Sequence, residues 1–152
     1  MVAVPNPRAI AAIGIAGLLT AIVGMCLPWL RSGAVLRDSF EFAGVIQTLG
    51  FLRGQALEWL LMVWYGLIPA MVLGVGLYLV SRRAAATFLL LVAIILGTIA
   101  GVARVEAGSG PVGVAEVGPT VTVIGAALVM AAALGTLFGG RGRARENAGG
   151  ER

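Results

Sequence analysis

The sequence predicts an all-α membrane protein, an antiparallel four-transmembrane-helix bundle with a short amphipathic helix in the first outer loop. Apolar residues make up 59% of the 152 residues and charged residues only 12%, whereas soluble domains average about 25% charged residues. The mean hydropathy is +0.99. Four blocks of sequence also reach the roughly 20 apolar residues that a helix needs to cross a bilayer. These three observations together indicate a polytopic membrane protein.

The predicted spans lack acidic and basic residues in their interiors, and they cover residues 9–30, 57–80, 84–102 and 119–138. The very short connection around Arg82 makes the second and third spans antiparallel neighbours. The chain then divides into a four-span membrane domain, residues 1–140, and a basic cytoplasmic tail, residues 141–152. Because the tail is rich in glycine and lacks large apolar residues, it is predicted to be disordered.

The arginines predict the orientation, because short cytoplasmic segments carry more basic residues than external ones. One group of seven comprises Arg8, Arg82, Arg83, Arg141, Arg143, Arg145 and Arg152. The opposite group of four comprises Arg31, Arg37, Arg53 and Arg104. Both termini are therefore expected in the cytoplasm of a bacterial cell, with the protein in its plasma membrane. The predicted membrane-interface anchors are Trp29, Arg31, Trp59, Tyr78, Arg82 and Arg83.

The first outer loop contains the pattern of a capped amphipathic helix. Asp38 with Glu41 three positions later has the form of a helix N-cap, and apolar residues then follow at helical spacing until Gly50. The functional interpretation is a docking surface for a partner or a lid over a lipid groove. The alternative is a helix that only shields the bundle. The candidate docking residues are Arg37, Asp38, Glu41, Phe42, Ile46 and Leu49.

Small residues at spacing four predict where the helices pack closely, since helices in lipid associate through close contact at small side chains. The predicted packing residues are Gly97 and Gly101 in the third span and Gly135 and Gly139 in the fourth. They lie in stripes that also contain alanines, among them Ala127 and Ala131. Such stripes either pack the bundle internally or form an interface with a second copy or a partner.

Several chemistries are excluded by composition. The chain has no histidine and one cysteine, Cys26, so imidazole haem ligation, cysteine-pair redox chemistry and histidine-based catalysis are not available to it. The segment Gly108–Gly113 matches a dinucleotide-binding pattern in letters only, because a membrane span rather than a strand precedes it. We therefore expect no enzyme activity, no cofactor, no metal and no nucleic-acid partner.

The segments "PWLRSG" and "RDSFEFAGVIQTLGF", residues 28–33 and 37–51, resemble a pattern in uncharacterised small four-helix integral membrane proteins of mycobacteria and related actinobacteria. The resemblance covers about a third of the chain. It implies an actinobacterial plasma-membrane protein and brings no reaction or catalytic residue with it. The exclusive use of arginine over lysine agrees with such a source.

The sequence favours a non-enzymatic membrane protein that acts as an accessory or scaffolding subunit of a cell-envelope assembly. Its expected partners are the lipid bilayer and either another membrane protein or further copies of itself. The alternative is a small oligomeric transporter or channel for a lipid or other apolar solute, with an opening lined by Thr20, Thr98 and Thr122. An enzyme would require the carboxylates of Asp38, Glu41 and Glu58 to converge on one pocket.

Overall fold

The architecture is that of an all-α bundle, as predicted. The computed structural model describes residues 6–32, 35–41, 44, 55–107 and 113–149. Its long helices are α1 (Pro7–Cys26), α2 (Gln55–Val80), α3 (Arg82–Ala107) and α4 (Val117–Gly149). Each contains a stretch that is long and apolar enough to cross a membrane. Large apolar side chains are exposed along these stretches, which is typical of a surface that faces lipid rather than water.

Helix α1 begins with a side-chain cap and ends earlier than the sequence predicted. The Arg8 backbone N–H donates to Asn6 Oδ1 at 3.1 Å, and Pro7 occupies the first turn, where its missing N–H costs nothing. The helix ends at Cys26, not at residue 30. Leu27 is extended because it precedes Pro28, and a residue before proline is disfavoured in the helical region.

A small antiparallel sheet, which was not predicted from the sequence, lies at one end of the bundle. Its strands are β1 (Pro28–Ser32), β2 (Val35–Asp38) and β3 (Gly113–Val114), in the order β2-β1-β3. Ser32 pairs with Val35, so two residues led by Gly33 separate the strands. A two-residue connection that begins with glycine is typical of a hairpin. The sequence therefore contained a local signal for the pairing of β1 with β2.

The helices pack in the order α1–α4–α3–α2, so that in the described part of the chain α1 and α2 make no extensive backbone contact with each other. At the end opposite the sheet, only Ser81 separates α2 from α3. Ser81 N–H donates to Leu77 O at 2.8 Å, and Ala85 N–H donates to Ser81 O at 3.0 Å. We call the two ends of the bundle the sheet end and the turn end.

The closest helix contact joins α1 and α4, a pair that the predicted stripes did not include. A Cβ added at Gly17 would lie 2.8 Å from the Val129 backbone nitrogen, and one added at Gly125 would overlap the Ala21 backbone. Thr122 is fully buried against Gly24 at the sheet end of the same contact. The two helix backbones therefore touch directly through their glycines.

The four predicted packing glycines have different surroundings. A Cβ at Gly97 would meet Ala126 at 3.4 Å and one at Gly135 would meet Ile10 at 3.5 Å, whereas Gly101 and Gly139 face open space. On α4 the predicted stripe members Ala127 and Ala131 are exposed. The buried face of α4 is rotated from the stripe and includes Ala126, Val129, Ala132 and Ala133. Spacing identifies a stripe of small residues but not the direction that it faces.

Helix α4 continues to Gly149, well beyond the predicted end of its span at residue 138. Residues 141–149 therefore have a helical backbone, where the sequence predicted a disordered tail. Alanine, arginine and glutamate in this segment have favourable helix propensities, and extending an existing helix requires no new nucleation.

Candidate functional site

The sheet end contains a short helical turn whose cap matches the sequence prediction. Asp38 Oδ1 accepts hydrogen bonds from the backbone N–H groups of Phe40 at 2.9 Å and Glu41 at 2.8 Å. Ser39, Phe40 and Glu41 are helical, as is Gly44. The apolar positions of the predicted amphipathic helix, Phe42, Ile46 and Leu49, lie outside the described residues.

This helical turn is attached to both α1 and α2. The Ser39 hydroxyl is buried and donates to Met25 O at 2.6 Å, which fixes the turn to the end of α1. Tyr65 of α2 donates from its hydroxyl to Phe40 O at 3.2 Å. The rings of Phe40 and Tyr65 also lie 5.9 Å apart. The first loop therefore bridges two helices whose backbones make no extensive contact with each other in the described part of the chain.

Two tryptophans join the sheet to α2 below the turn. The rings of Trp29 and Trp64 meet edge to face, with centroids 5.1 Å apart and planes at 71°, a favourable geometry for aromatic pairs. Trp29 donates from its indole nitrogen to Gly24 O at 2.9 Å. Trp29 was predicted to anchor the protein at the membrane interface, but it is instead only 3% exposed, because its ring fills the space that the α1–sheet junction encloses.

The approach of α4 to this tryptophan depends on a glycine. A Cβ at Gly118 would overlap the Trp29 ring and would lie 2.7 Å from Pro28 O. Ala115, just before α4, donates from its backbone nitrogen to Trp29 O at 3.1 Å. The indole nitrogen of Trp64, in contrast, is buried and has no hydrogen-bond partner among the described residues.

The remaining predicted site residues lie at both ends. At the sheet end Arg37 and Asp38 are half-buried, and Glu41 is exposed. At the turn end Arg82 and Arg83 are exposed and Tyr78 is half-buried, with the Arg82 guanidinium 5.7 Å from the centre of the Tyr78 ring. The side chains of Arg31 and Trp59 lie outside the described part.

An apolar cleft of about 170 Å³ opens at the turn end. All four helices line it, and its walls include Ile10 and Ile15 of α1, Val75 of α2, Leu89 of α3, and Ala132 and Thr136 of α4. The Thr136 hydroxyl is already used, since it donates to Ala132 O at 2.9 Å. We call this feature the turn-end cleft, and no sequence pattern predicted it.

The threonines that were predicted to line a transport opening are not part of this cleft. Thr122 is fully buried and donates to Gly118 O at 2.9 Å, and Thr20 donates to Ala16 O at 2.8 Å. Thr98 is exposed on the outside of α3. Among the described residues, the three hydroxyls therefore do not face one another across the bundle: Thr122 is buried and Thr98 is on the outer surface.

The carboxylates that an enzyme would need are only partly described. Asp38 uses one oxygen to cap the helical turn, Glu41 is exposed, and the side chain of Glu58 lies outside the described residues. Within the ranges described above, no three histidine, cysteine or acidic residues come together as possible metal ligands. No known protein family, curated protein or solved structure matches this chain.

We expect the Asp38→Ala variant to weaken the start of the helical turn. Loss of an N-cap costs about 1 kcal/mol, and the Phe40 and Glu41 amides would lose their acceptor. Amide hydrogen exchange at Phe40 and Glu41 should then be about fivefold faster, which is the rate equivalent of that free energy. Asp38→Asn is the control, because an amide oxygen also caps helices. Equal protection of both amides in wild type and Asp38→Ala would contradict the cap.

Proposed function

We propose that this protein is a non-enzymatic subunit of an envelope assembly in the plasma membrane of an actinobacterium, and that it binds its partner through the sheet end. In this proposal both termini are cytoplasmic and the sheet end faces outward. The arginine distribution supports that orientation, since Arg8, Arg82 and Arg83 lie at the turn end. The observation that carries the proposal is the preassembled surface at the sheet end.

This surface combines an unpaired strand edge with a fixed helical turn. In the described part of the chain β2 pairs on one side only, with β1. Leu36 of β2 is 55% exposed, and Glu41 is exposed on the turn that follows. Exposed strand edges and apolar side chains are common sites of protein association.

The surface is also held in place by contacts within the chain itself. The contacts of Ser39 to Met25 and of Phe40 to Tyr65 hold it to two helices, and the tryptophan pair supports it from below. Binding to a preorganised surface avoids the entropy cost of ordering a loop.

The test is site-specific photo-crosslinking in native membranes. A photoreactive residue at position 36 or 41 should yield one adduct of defined mass, whereas the same residue at position 13 should yield none. Ile13 is the control because it is 43% exposed on the lipid-facing side of α1. The Leu36→Asp variant should reduce the amount of co-purified partner at least tenfold. The proposal would be contradicted if none of the three positions gave a crosslinked adduct, or if all three gave equal amounts.

The second candidate function is transport of a lipid or another apolar solute by an oligomer. The turn-end cleft favours it, because an apolar solute needs an apolar path and no buried charge. Vesicles that contain the purified protein should then transfer a fluorescent lipid between leaflets faster than protein-free vesicles. A wild-type rate equal to that of the Ile15→Trp variant, which fills the cleft, would contradict this function.

A further inference from the structure

We propose that the turn-end cleft binds one anionic phospholipid, with a segment of its acyl chain inside the cleft and its phosphate between Arg8 and Arg82. This site is separate from the sheet end, and it is compatible with a subunit as well as with a transporter. It depends on the geometry of the turn end alone.

The cleft opens sideways, between α1 and α2, whose backbones make no extensive contact with each other in the described part of the chain. Its rim carries exposed apolar side chains, with Ile15 of α1 57% exposed and Leu79 of α2 88% exposed. Its floor is buried and is formed by Leu18, Ala86 and the α4 residues Val129, Ala132 and Ala133. The opening therefore faces the lipid of the leaflet at the turn end, where acyl chains surround the protein.

The size of the cleft fits a segment of a chain. An apolar cavity of roughly 150 Å³ accommodates a molecule the size of benzene, so about 170 Å³ accommodates a short run of methylene groups. A helix of another protein is about 10 Å across, which is too wide for this space. Apolar walls alone would not select one lipid, because lipid tails are as apolar as leucine.

Selectivity for an anionic lipid comes from positive charge at the open end of the cleft. Arg82 is followed at i+4 and i+7 by Ala86 and Leu89, and Arg8 is followed at i+3 and i+7 by Ala11 and Ile15. All four followers line the cleft, and residues at these spacings share one helix face. Each arginine thus lies on the face that forms a wall, at the end nearest the headgroups.

The position of Arg82 is further fixed by a ring that belongs to the cleft. Its guanidinium lies 5.7 Å from the centre of the Tyr78 ring, and Tyr78 is itself a lining residue. Arg8 and Arg82 are both exposed, so their donors can reach a phosphate. Guanidinium groups bind phosphate through paired, charge-assisted hydrogen bonds. A zwitterionic lipid carries an additional cation that these arginines would repel.

The test uses phosphatidylglycerol and phosphatidylcholine that carry a photoreactive diazirine in the acyl chain, each in nanodiscs with the full-length protein. Phosphatidylglycerol should label residues inside the cleft, namely Gly14, Leu89 and Ala132. Phosphatidylcholine should label these cleft residues several-fold less, relative to outward-facing residues such as Ile13. Peptide mass spectrometry locates the labels, and it reads occupancy of the cleft without any assay of function.

Two variants separate the headgroup from the chain. The Arg8→Gln/Arg82→Gln double variant should lower the apparent affinity for phosphatidylglycerol about fivefold for each arginine removed. The Ile15→Trp variant should abolish labelling inside the cleft, since the indole would occupy the opening. The matched controls are Arg104→Gln, an exposed arginine of α3 at the sheet end, and Ile13→Trp on the outer face of α1.

Equal labelling of the cleft by both lipids in the wild-type protein would overturn the proposal, as would equal losses in the variants and their controls. Labelling restricted to Ile13 and other outward residues would also overturn it. The sheet-end crosslinking reports on a different surface. A loss of lipid labelling with intact crosslinking, or the reverse, therefore distinguishes failure of this proposal from failure of the proposed function.

Discussion

The Gly125→Ala variant is expected to lose about 3 kcal/mol of folding free energy, the upper part of the range for overpacked sites. An added methyl group would overlap the Ala21 backbone and would lie 2.8 Å from Gly17 O. A backbone cannot rotate away as a side chain can, so α1 and α4 must separate. Titration with sodium dodecyl sulfate, followed by far-ultraviolet circular dichroism, measures the loss.

Gly101→Ala is the matched control for this prediction. It lies in α3, in a stripe that sequence spacing assigned to packing, but a Cβ there meets nothing within 4 Å. Because alanine is a better helix former than glycine by roughly 0.8–1 kcal/mol, this variant should be as stable as the wild-type protein or slightly more stable. Equal destabilisation at both positions would contradict the helix orientations described above, and an unaffected Gly125→Ala would contradict the α1–α4 contact.

The contrast between Gly125 and Gly101 shows which parts of the fold the sequence could predict. The number of helices and their approximate spans follow from apolar length, because each helix must satisfy its own backbone hydrogen bonds in lipid. Helix rotation depends on which small-residue surfaces fit each other, and spacing within one helix does not contain that information. The sequence therefore does not identify Gly17 and Gly125 as contact partners, although each is a small residue within its own predicted span.

The sheet end shows the same limit for local signals. The Asp38 cap was predictable because a side chain and the amides of the next turn lie within a few residues. Trp29 was predicted to lie at the membrane interface because a tryptophan near the end of a span is typically interfacial. Its burial depends instead on Trp64 and Gly118, which are distant in the sequence. The turn-end cleft was likewise not predictable, since it results from the separation of the α1 and α2 backbones, which no local pattern encodes.

Replacement of Trp29 by alanine is expected to be the most damaging single change at the sheet end, with a loss of about 3–5 kcal/mol. The ring is 3% exposed and contacts Trp64 edge to face, so its removal leaves a cavity at the junction of α1, α2 and the sheet. Near-ultraviolet circular dichroism should show loss of the signal from the ring pair. Leu91→Ala, at a residue 56% exposed on α3, should cost far less. A Trp29→Ala protein as stable as Leu91→Ala would contradict this role.

Phenylalanine variants of the two tryptophans separate the hydrogen bond from the packing. Trp29→Phe retains a ring but loses the bond to Gly24 O at 2.9 Å, which corresponds to about 1 kcal/mol. Trp64→Phe removes an indole nitrogen that is buried with no partner among the described residues. Since an unsatisfied buried donor is itself costly, its loss offsets part of the lost contact area, and the variant should be nearly as stable as the wild-type protein. Detergent titration of the two variants measures their stabilities. A greater loss of stability for Trp64→Phe than for Trp29→Phe would contradict both assignments.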